Sequence, residues 1–545
     1  MLLIHTYSIT RKGRKSKFRT HRFGIVKKIS KKIRVFFDKI YVQVAKYEKT
    51  LYNNMDMSTK TKTDNSIQDA AVREMEAKQF EKMTKTPIPR LVIGLGIPTM
   101  LNMMVTSLYN LADTFFVSGL GDRATGAVNV VLSLMSIIQA IGFTLGMGSG
   151  SIVSRLLGAR KRKEADEVAS SSFFAGAFVG LLITVFGLIF LTPLMRLLGA
   201  PQEIDGVITT LDYAKEYAFC ILIAAPLMCM SFVMNNVLRA EGKALLSMIG
   251  LVTGAVINVA LDPLFIFVFH MGMTGAAVAT LISQTISFAV LLIMFLSGKS
   301  IVRLKLRSVS RKFAVYGNVI ATGFPSFCRQ ILASLCTVLL NWAVQPYDGA
   351  LAALGVVQKV FMFAFSIALG IGQGYQPVLG YNYSAKCFAR VRKAYLFTLG
   401  FSMVLISVFA VVCFIVAPLI MDAFLESQQS VEIGTLSLRL QCICMPLLPL
   451  NFMAGVTYQV VGNKAIASLL SVSRQGLFYI PAVLILPRVL KLLGVQCCQS
   501  VSDLFSFLFS IPFTIAFFKT LKRNERAERE GQVCDEIKTE VYYGE

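Results

Sequence analysis

From Leu91 to Phe518 the sequence is a succession of long apolar runs separated by short polar breaks. The runs cover approximately 91–118, 125–156, 168–193, 212–237, 244–268, 273–297, 314–343, 350–379, 395–421, 433–459, 466–487 and 497–518. As a helix, each is long enough to cross the roughly 30 Å hydrocarbon layer of a bilayer. A helix there satisfies its own backbone hydrogen bonds, which lipid cannot do. Composition agrees, with 55% of residues hydrophobic and 16% charged, against roughly 25% charged in soluble domains. A soluble fold of this length could not bury so much apolar surface. The sequence therefore predicts an all-α polytopic membrane protein with twelve transmembrane helices, numbered here as spans 1 to 12.

Lys and Arg in the connections predict the orientation. One alternating set holds seventeen: four in GARKRKE, two in RAEGK, six in 298–313, four in 381–394, and Lys464. The opposite set holds only Arg123, Arg196, Arg488 and Lys491. Both termini and the long central connection are thus expected in the cytoplasm. The net charge of +24 is largely a property of one tail. Residues 1–54 carry fifteen Lys and Arg against two acids, a net +13. That makes nucleic-acid binding a poor reading, and no nucleic-acid partner is expected.

Within that tail Ile25, Ile29, Ile33, Phe36, Ile40 and Val44 form one helical stripe between basic residues. It reads either as a helix lying on an anionic membrane surface or as an extension upstream of a start at Met55 or Met57. No secretory signal is visible, because no compact apolar stretch with a small-residue cleavage site follows the basic start. Residues 55–87 read as a polar, partly helical lead-in.

The two halves repeat one another. GLGIPT (94–99) returns as ATGFPS (321–326), GMGSG (146–150) as GIGQG (370–374), and GKALLS (242–247) as NKAIAS (463–468). The offsets are 227, 224 and 221 residues. A duplication of six spans per half implies parallel repeats around an axis along the membrane normal, with a cavity between lobes. The expected organisation is an N-terminal extension (1–87), an N-terminal six-helix lobe (88–300), a cytoplasmic linker (301–313), a C-terminal six-helix lobe (314–520) and a cytoplasmic tail (521–545).

Ionisable groups inside spans are costly and mark functional positions. The deep acids of the N-terminal half are Asp113, in LYNLADTFFVSG, and Asp262, in NVALDPLFIF. The spans of the C-terminal half carry Arg329, Lys359, Arg439 and Arg474 instead, so the acidic chemistry is expected in one lobe. Asn258 and Asp262 stand four apart and share a helical face, and Pro263 weakens the backbone ladder beside them. A carboxylate, an amide oxygen and freed carbonyls suit Na⁺; two carboxylates taken out of water suit H⁺ equally. Thr280 on the next span adds a hydroxyl. Tyr109 and Asn110 lie one turn before Asp113, and Asn235 ends span 4, as candidate polar lining of a cavity. The alternative is structural, with Asp113 pairing locally with Asn110 and Asp262 supporting a helix break.

Enzymatic readings find little support. Three His leave no Ser/His/Asp arrangement, the eleven Cys lack metal-site spacing, and GKS at 298–300 lacks the upstream Gly of a phosphate loop, Ile293 standing there. GMGSG lies inside a span, where small residues permit close helix packing.

Five stretches carry a family resemblance: SLYNLADTFFVSGLG, GSGSIVSRLLGARKRKEA, NNVLRAEGKALLSMI, NVALDPLFIF and QPVLGYNYSAK. With them, the chain from about 88 to 520 resembles the multidrug and toxic compound extrusion (MATE) family, and within it a bacterial multidrug-export branch. The resemblance implies two six-helix lobes forming a V-shaped central cavity in the bacterial cell membrane. It implies efflux of amphipathic drugs or toxic organic cations, driven by inward H⁺ or Na⁺. The cation site carries over onto Asp113, Asn258, Asp262 and Thr280, and the lining positions onto Tyr109 and Asn235. No cofactor or metal beyond that coupling ion is implied, the partners are the transported molecules and membrane lipid, and a monomer is expected. Another branch places acids on spans 7 and 10; here span 7 has none and span 10 only Glu432 at its edge. The alternatives are a lipid or lipid-linked oligosaccharide flippase of the same superfamily and, from another class, a channel or structural membrane protein.

Overall fold

The computed structural model describes residues 63–529, apart from Gly119, Gly121, 201–208 and Glu426. The basic stripe between Ile25 and Val44 lies outside the described residues. A polar helix, Thr63–Lys85, leads into the membrane region. The first six spans are Ile88–Ser118, Asp122–Gly158, Arg162–Ile189, Thr210–Ala240, Ala244–Pro263 with a continuation through Val268, and Gly272–Leu296. Spans 7 to 9 are Phe313–Val344, Ala350–Ser384 and Phe388–Phe424. Span 10 runs Gln428–Cys444 and Leu448–Val461 about a short 3₁₀ turn.

Spans 11 and 12 follow one another with almost no connection. A helix from Ile480 to Arg529 would, if straight, reach about 75 Å, more than twice the hydrocarbon thickness. It is not straight. Lys491 has φ 51° and ψ −129°, and a Cβ placed on Gly494 would collide with the Leu486 carbonyl eight residues back. The chain therefore reverses at Lys491, giving the twelfth crossing. The last span continues past residue 518, the end expected from hydropathy, to Arg529, because its polar end stays helical beyond the apolar run.

The repeated glycine motifs face each other across the seam between lobes. On spans 2 and 7, a Cβ on Gly148 would overlap the Val319 carbonyl, and one on Gly323 the Thr144 carbonyl. On spans 1 and 8, Gly374 packs backbone to backbone on Gly96. Only glycine permits approach this close. Each motif thus meets, across the seam, not its own duplicate but the other motif of the opposite lobe, GMGSG against ATGFPS and GLGIPT against GIGQG, as a two-fold arrangement requires.

Three of the four apolar clusters among the described residues define the shape. One is shared by both lobes at the end where the basic connections gather, joining Leu91, Leu95, Ile152 and Leu156 to Val319, Tyr375, Val378 and Tyr381. Towards the other end each lobe has its own: Val117, Val131, Tyr217 and Met273 in the first, Val357, Ile406, Met421 and Leu438 in the second. The lobes converge at the basic end and part at the opposite one, which is the expected V. Polar contacts also close the seam, among them Gln376 to the Ser151 hydroxyl at 2.9 Å, Arg155 to the Val461 carbonyl at 3.2 Å and Arg239 to Gln373.

Two further segments tie the basic end together. The connection after span 6 is laid on the N-terminal lobe rather than hanging between lobes. Glu241 accepts from the backbone of Ile301 and Val302 at 2.9 and 3.0 Å, and Asp166 from that of Arg303 at 2.8 Å. The end of the polar lead-in helix bridges the lobes: Gln79 donates to the Glu241 carbonyl at 2.8 Å, while Asn382 donates to the Met83 carbonyl at 3.0 Å and Arg390 to that of Thr86 at 2.7 Å.

Candidate functional site

Four spans of the N-terminal lobe converge on one buried polar cluster. Span 1 brings Asp113, span 4 Tyr217, span 5 Asn258 and Asp262, and span 6 Thr280. Asp113 is 5% exposed and Asp262 is fully buried. The i, i+4 spacing of Asn258 and Asp262 does what it predicts, since the Asn258 amide donates to Asp262 Oδ1 at 3.2 Å. The same amide donates to Thr280 Oγ1 at 3.3 Å. Tyr217 donates its hydroxyl to Asp113 Oδ2 at 3.0 Å and lies 3.3 Å from Thr280 Oγ1. Tyr217 has one proton, and Asp113 takes it, so the Thr280 hydroxyl donates to Tyr217. A directed chain therefore runs from Asn258 through Thr280 and Tyr217 to Asp113.

That chain leaves three buried acceptors without a donor among the described residues: Asp113 Oδ1, Asp262 Oδ2 and Asn258 Oδ1. Neither carboxylate forms an ion pair among the described residues. Buried acceptors without partners are costly, and a small hard cation or a proton is what satisfies such a set. Just past Asp262, Pro263 contributes no N–H and the helix widens into a π turn over Leu264–Val268, a distortion that recurs at functional sites.

A cavity of about 780 Å³ opens beside the cluster. Tyr109, Asn235, Asn258 and Thr280 line it with aromatic walls from Phe143 and Phe232. No lining residue is charged; the two acids sit behind Asn258 and Thr280, which belong to both the cluster and the cavity wall. Asn235 is also a brace, its amide donating to the Ser247 carbonyl at 3.0 Å. Asn110 lies within span 1, but its side chain is outside the described residues.

Tyr217 was not legible in the sequence. It stands beside Lys215 and Glu216, which read as a membrane interface, and Glu216 indeed binds exposed Thr274 at 3.0 Å. One residue further is roughly 100° around the helix, which turns Tyr217 to the interior. A second difference concerns the C-terminal lobe, expected to carry cations only. Asp503 on span 12 is buried there. Its Oδ1 accepts from Arg474 Nε at 2.7 Å and Gln499 at 2.9 Å, so its charge has a counter-charge beside it, while its Oδ2 has no donor among the described residues.

The model of the MatE family matches residues 98–264 and 325–485, well over half of the chain and one segment in each lobe. The chain belongs to the MatE family. Multidrug export protein MepA of Staphylococcus aureus is 25% identical over 425 residues, covering 77% of this chain and 92% of its own. The protein of the same name from Staphylococcus saprophyticus is 24% identical over 423 residues, with the same two coverages. Among solved structures, an outward-facing multidrug resistance MATE family transporter of the MOP superfamily aligns with a TM-score of 0.76 and 26% identity, over 81% of this chain and 98% of that one. A MOP superfamily transporter from Pyrococcus furiosus, described as having a binding pocket of reverse polarity that suggests a different function, aligns with a TM-score of 0.75 and 26% identity over the same shares. This MatE chain is thus a multi-pass membrane transporter of a family with bacterial multidrug export members.

Proposed function

We propose that this chain exports amphipathic organic molecules, cationic ones above all, in exchange for inward H⁺ or Na⁺, with Asp113 and Asp262 as the coupling pair. The observation that carries this reading is the set of three donor-less acceptor oxygens at the end of a directed hydrogen-bond chain. Asp113, Asp262, Asn258 and Thr280 supply the oxygens; Tyr217 orients Asp113. A proton on either carboxylate converts an acceptor into a donor, and Na⁺ would take the same oxygens as ligands.

Coupling needs the cation to favour one state of the transporter over the other. Asn258 and Thr280 supply the link, since cation binding re-aims groups that also form the cavity wall. With basic connections on the cytoplasmic side, the V opens outward. In that state the cation enters, the cavity wall changes and the exported molecule leaves. The lobes then rock, breaking the seam contacts of Arg239, Arg155 and Gln376, and release the cation inside. The apolar and aromatic cavity wall suits amphipathic compounds. A flippase for a pyrophosphate-linked lipid would want basic residues on this wall, and it has none; the arginines that support that alternative, Arg329 and Arg474, line a separate cleft in the C-terminal lobe.

The test is dye efflux from proteoliposomes under an imposed pH or Na⁺ gradient, for the wild type, Asp113→Asn and Asp262→Asn. Loss of gradient-driven efflux in both variants is expected; full retention in both would sink the reading. The gradient that drives the wild type identifies the ion.

A further inference from the structure

The C-terminal lobe has an open cleft of its own. Spans 7, 8, 10 and 11 build it, and its wall is cationic where that of the N-terminal cavity is uncharged. Two guanidiniums line it, Arg329 and Arg474, over apolar walls from Phe365, Phe452, Leu448 and Leu470. They flank an edge-on pair of rings. Arg329 lies 5.3 Å from the Phe452 centroid, Arg474 lies 5.6 Å from that of Phe365, and the two ring centroids are 6.3 Å apart.

The two arginines differ in how far their charge is answered. Arg474 is held by Asp503 through Nε, yet its Nη2 is buried without an acceptor. Arg329 has no ion pair among the described residues, its one recorded interaction being with the Phe452 ring. Of the two cations only Arg474 has an acid beside it, and its buried Nη2 stands beside the aromatic floor without an acceptor. A guanidinium fork binds carboxylate and phosphate oxygens in pairs, and the rings accept a flat apolar body.

We propose that this cleft binds the anionic end, a carboxylate or phosphate, of an amphipathic molecule, with Arg329 supplying the unmatched charge and Arg474 Nη2 the fixed donor. The occupant is either a soluble amphiphile or an anionic lipid headgroup, which share this chemistry. The site involves none of the coupling residues, so it stands or falls apart from the antiport reading.

The full-length protein in non-ionic detergent is titrated with fluorescent 1-pyrenebutyrate and with its neutral analogue 1-pyrenebutanol. The wild type is expected to bind the acid at least about tenfold more tightly, the scale of a hydrogen-bonded charge. Arg329→Gln is expected to abolish that preference and leave alcohol binding unchanged, which also reports an intact fold. Lys359→Gln, which removes an exposed charge from span 8, is expected to change neither. Equal affinity for acid and alcohol in the wild type, retention of the preference in Arg329→Gln, or an equal loss in Lys359→Gln would each overturn the proposal. Should Arg329→Gln aggregate, Arg329→Lys serves instead: it keeps the charge and loses the fork, so a several-fold drop is expected and no drop overturns the site. In nanodiscs, competition by phosphatidylglycerol but not phosphatidylcholine identifies a lipid headgroup; absence of competition identifies a soluble anion. Both results uphold the site and differ only in its source.

Discussion

In the N-terminal lobe Asp113 and Asp262 are buried with no ion-pair partner among the described residues, whereas in the C-terminal lobe Asp503 is buried with Arg474 at 2.7 Å and Gln499 at 2.9 Å. The lobes are otherwise built alike, down to an asparagine on span 4 or span 10 that braces the next span: Asn235 to the Ser247 carbonyl, Asn451 to the Leu470 carbonyl. An ion pair carries its own counter-charge, so a coupling cation finds no unanswered carboxylate there, although Arg474 Nη2 and Asp503 Oδ2 lack partners among the described residues. A carboxylate pair whose donors are a neutral hydroxyl and a neutral amide keeps its charge unanswered until a cation arrives. The architecture is shared, and the charge placed on it decides which lobe can respond to an ion gradient.

The largest expected effect breaks the acid pair. Asp113→Asn and Asp262→Asn should each lower gradient-driven efflux by tenfold or more in the proteoliposome assay, while purified protein keeps a wild-type elution profile. Breaking the C-terminal pair should act on stability instead. Arg474→Met leaves Asp503 buried and unpaired, a loss of about 3–5 kcal/mol visible in thermal unfolding. Adding Asp503→Asn should recover most of it, and failure to do so would mean Arg474 has another structural duty.

Tyr217→Phe sharpens the comparison, because it removes one hydrogen bond to Asp113 and keeps the packing. A change of about 1 kcal/mol is expected, read as a roughly fivefold shift in the cation concentration that half-activates efflux. The smallest effects probe what the lobes have in common. Asn235→Ala and Asn451→Ala should each lower stability by about 1 kcal/mol, and a far larger loss in one would show that the braces are not equivalent.

The sequence by itself determined the class, the spans and the coupling candidates. Apolar runs of this length have one use, charges within them are too costly to be incidental, and Asn258 and Asp262 lie on one face by helical periodicity alone. The glycine motifs announced the duplication, though not that they would meet across the seam. What sequence could not supply is whatever depends on rotation about a helix or on partners in other spans. Tyr217 joins Asp113 from 104 residues away, hidden beside two interface charges. Asp503 sits in an apolar run like the other deep acids, and only packing against Arg474 gives it a counter-charge. The tertiary structure decided which buried charges are answered and which are not, because a carboxylate's role depends on the donors within hydrogen-bond distance, and those come from other helices.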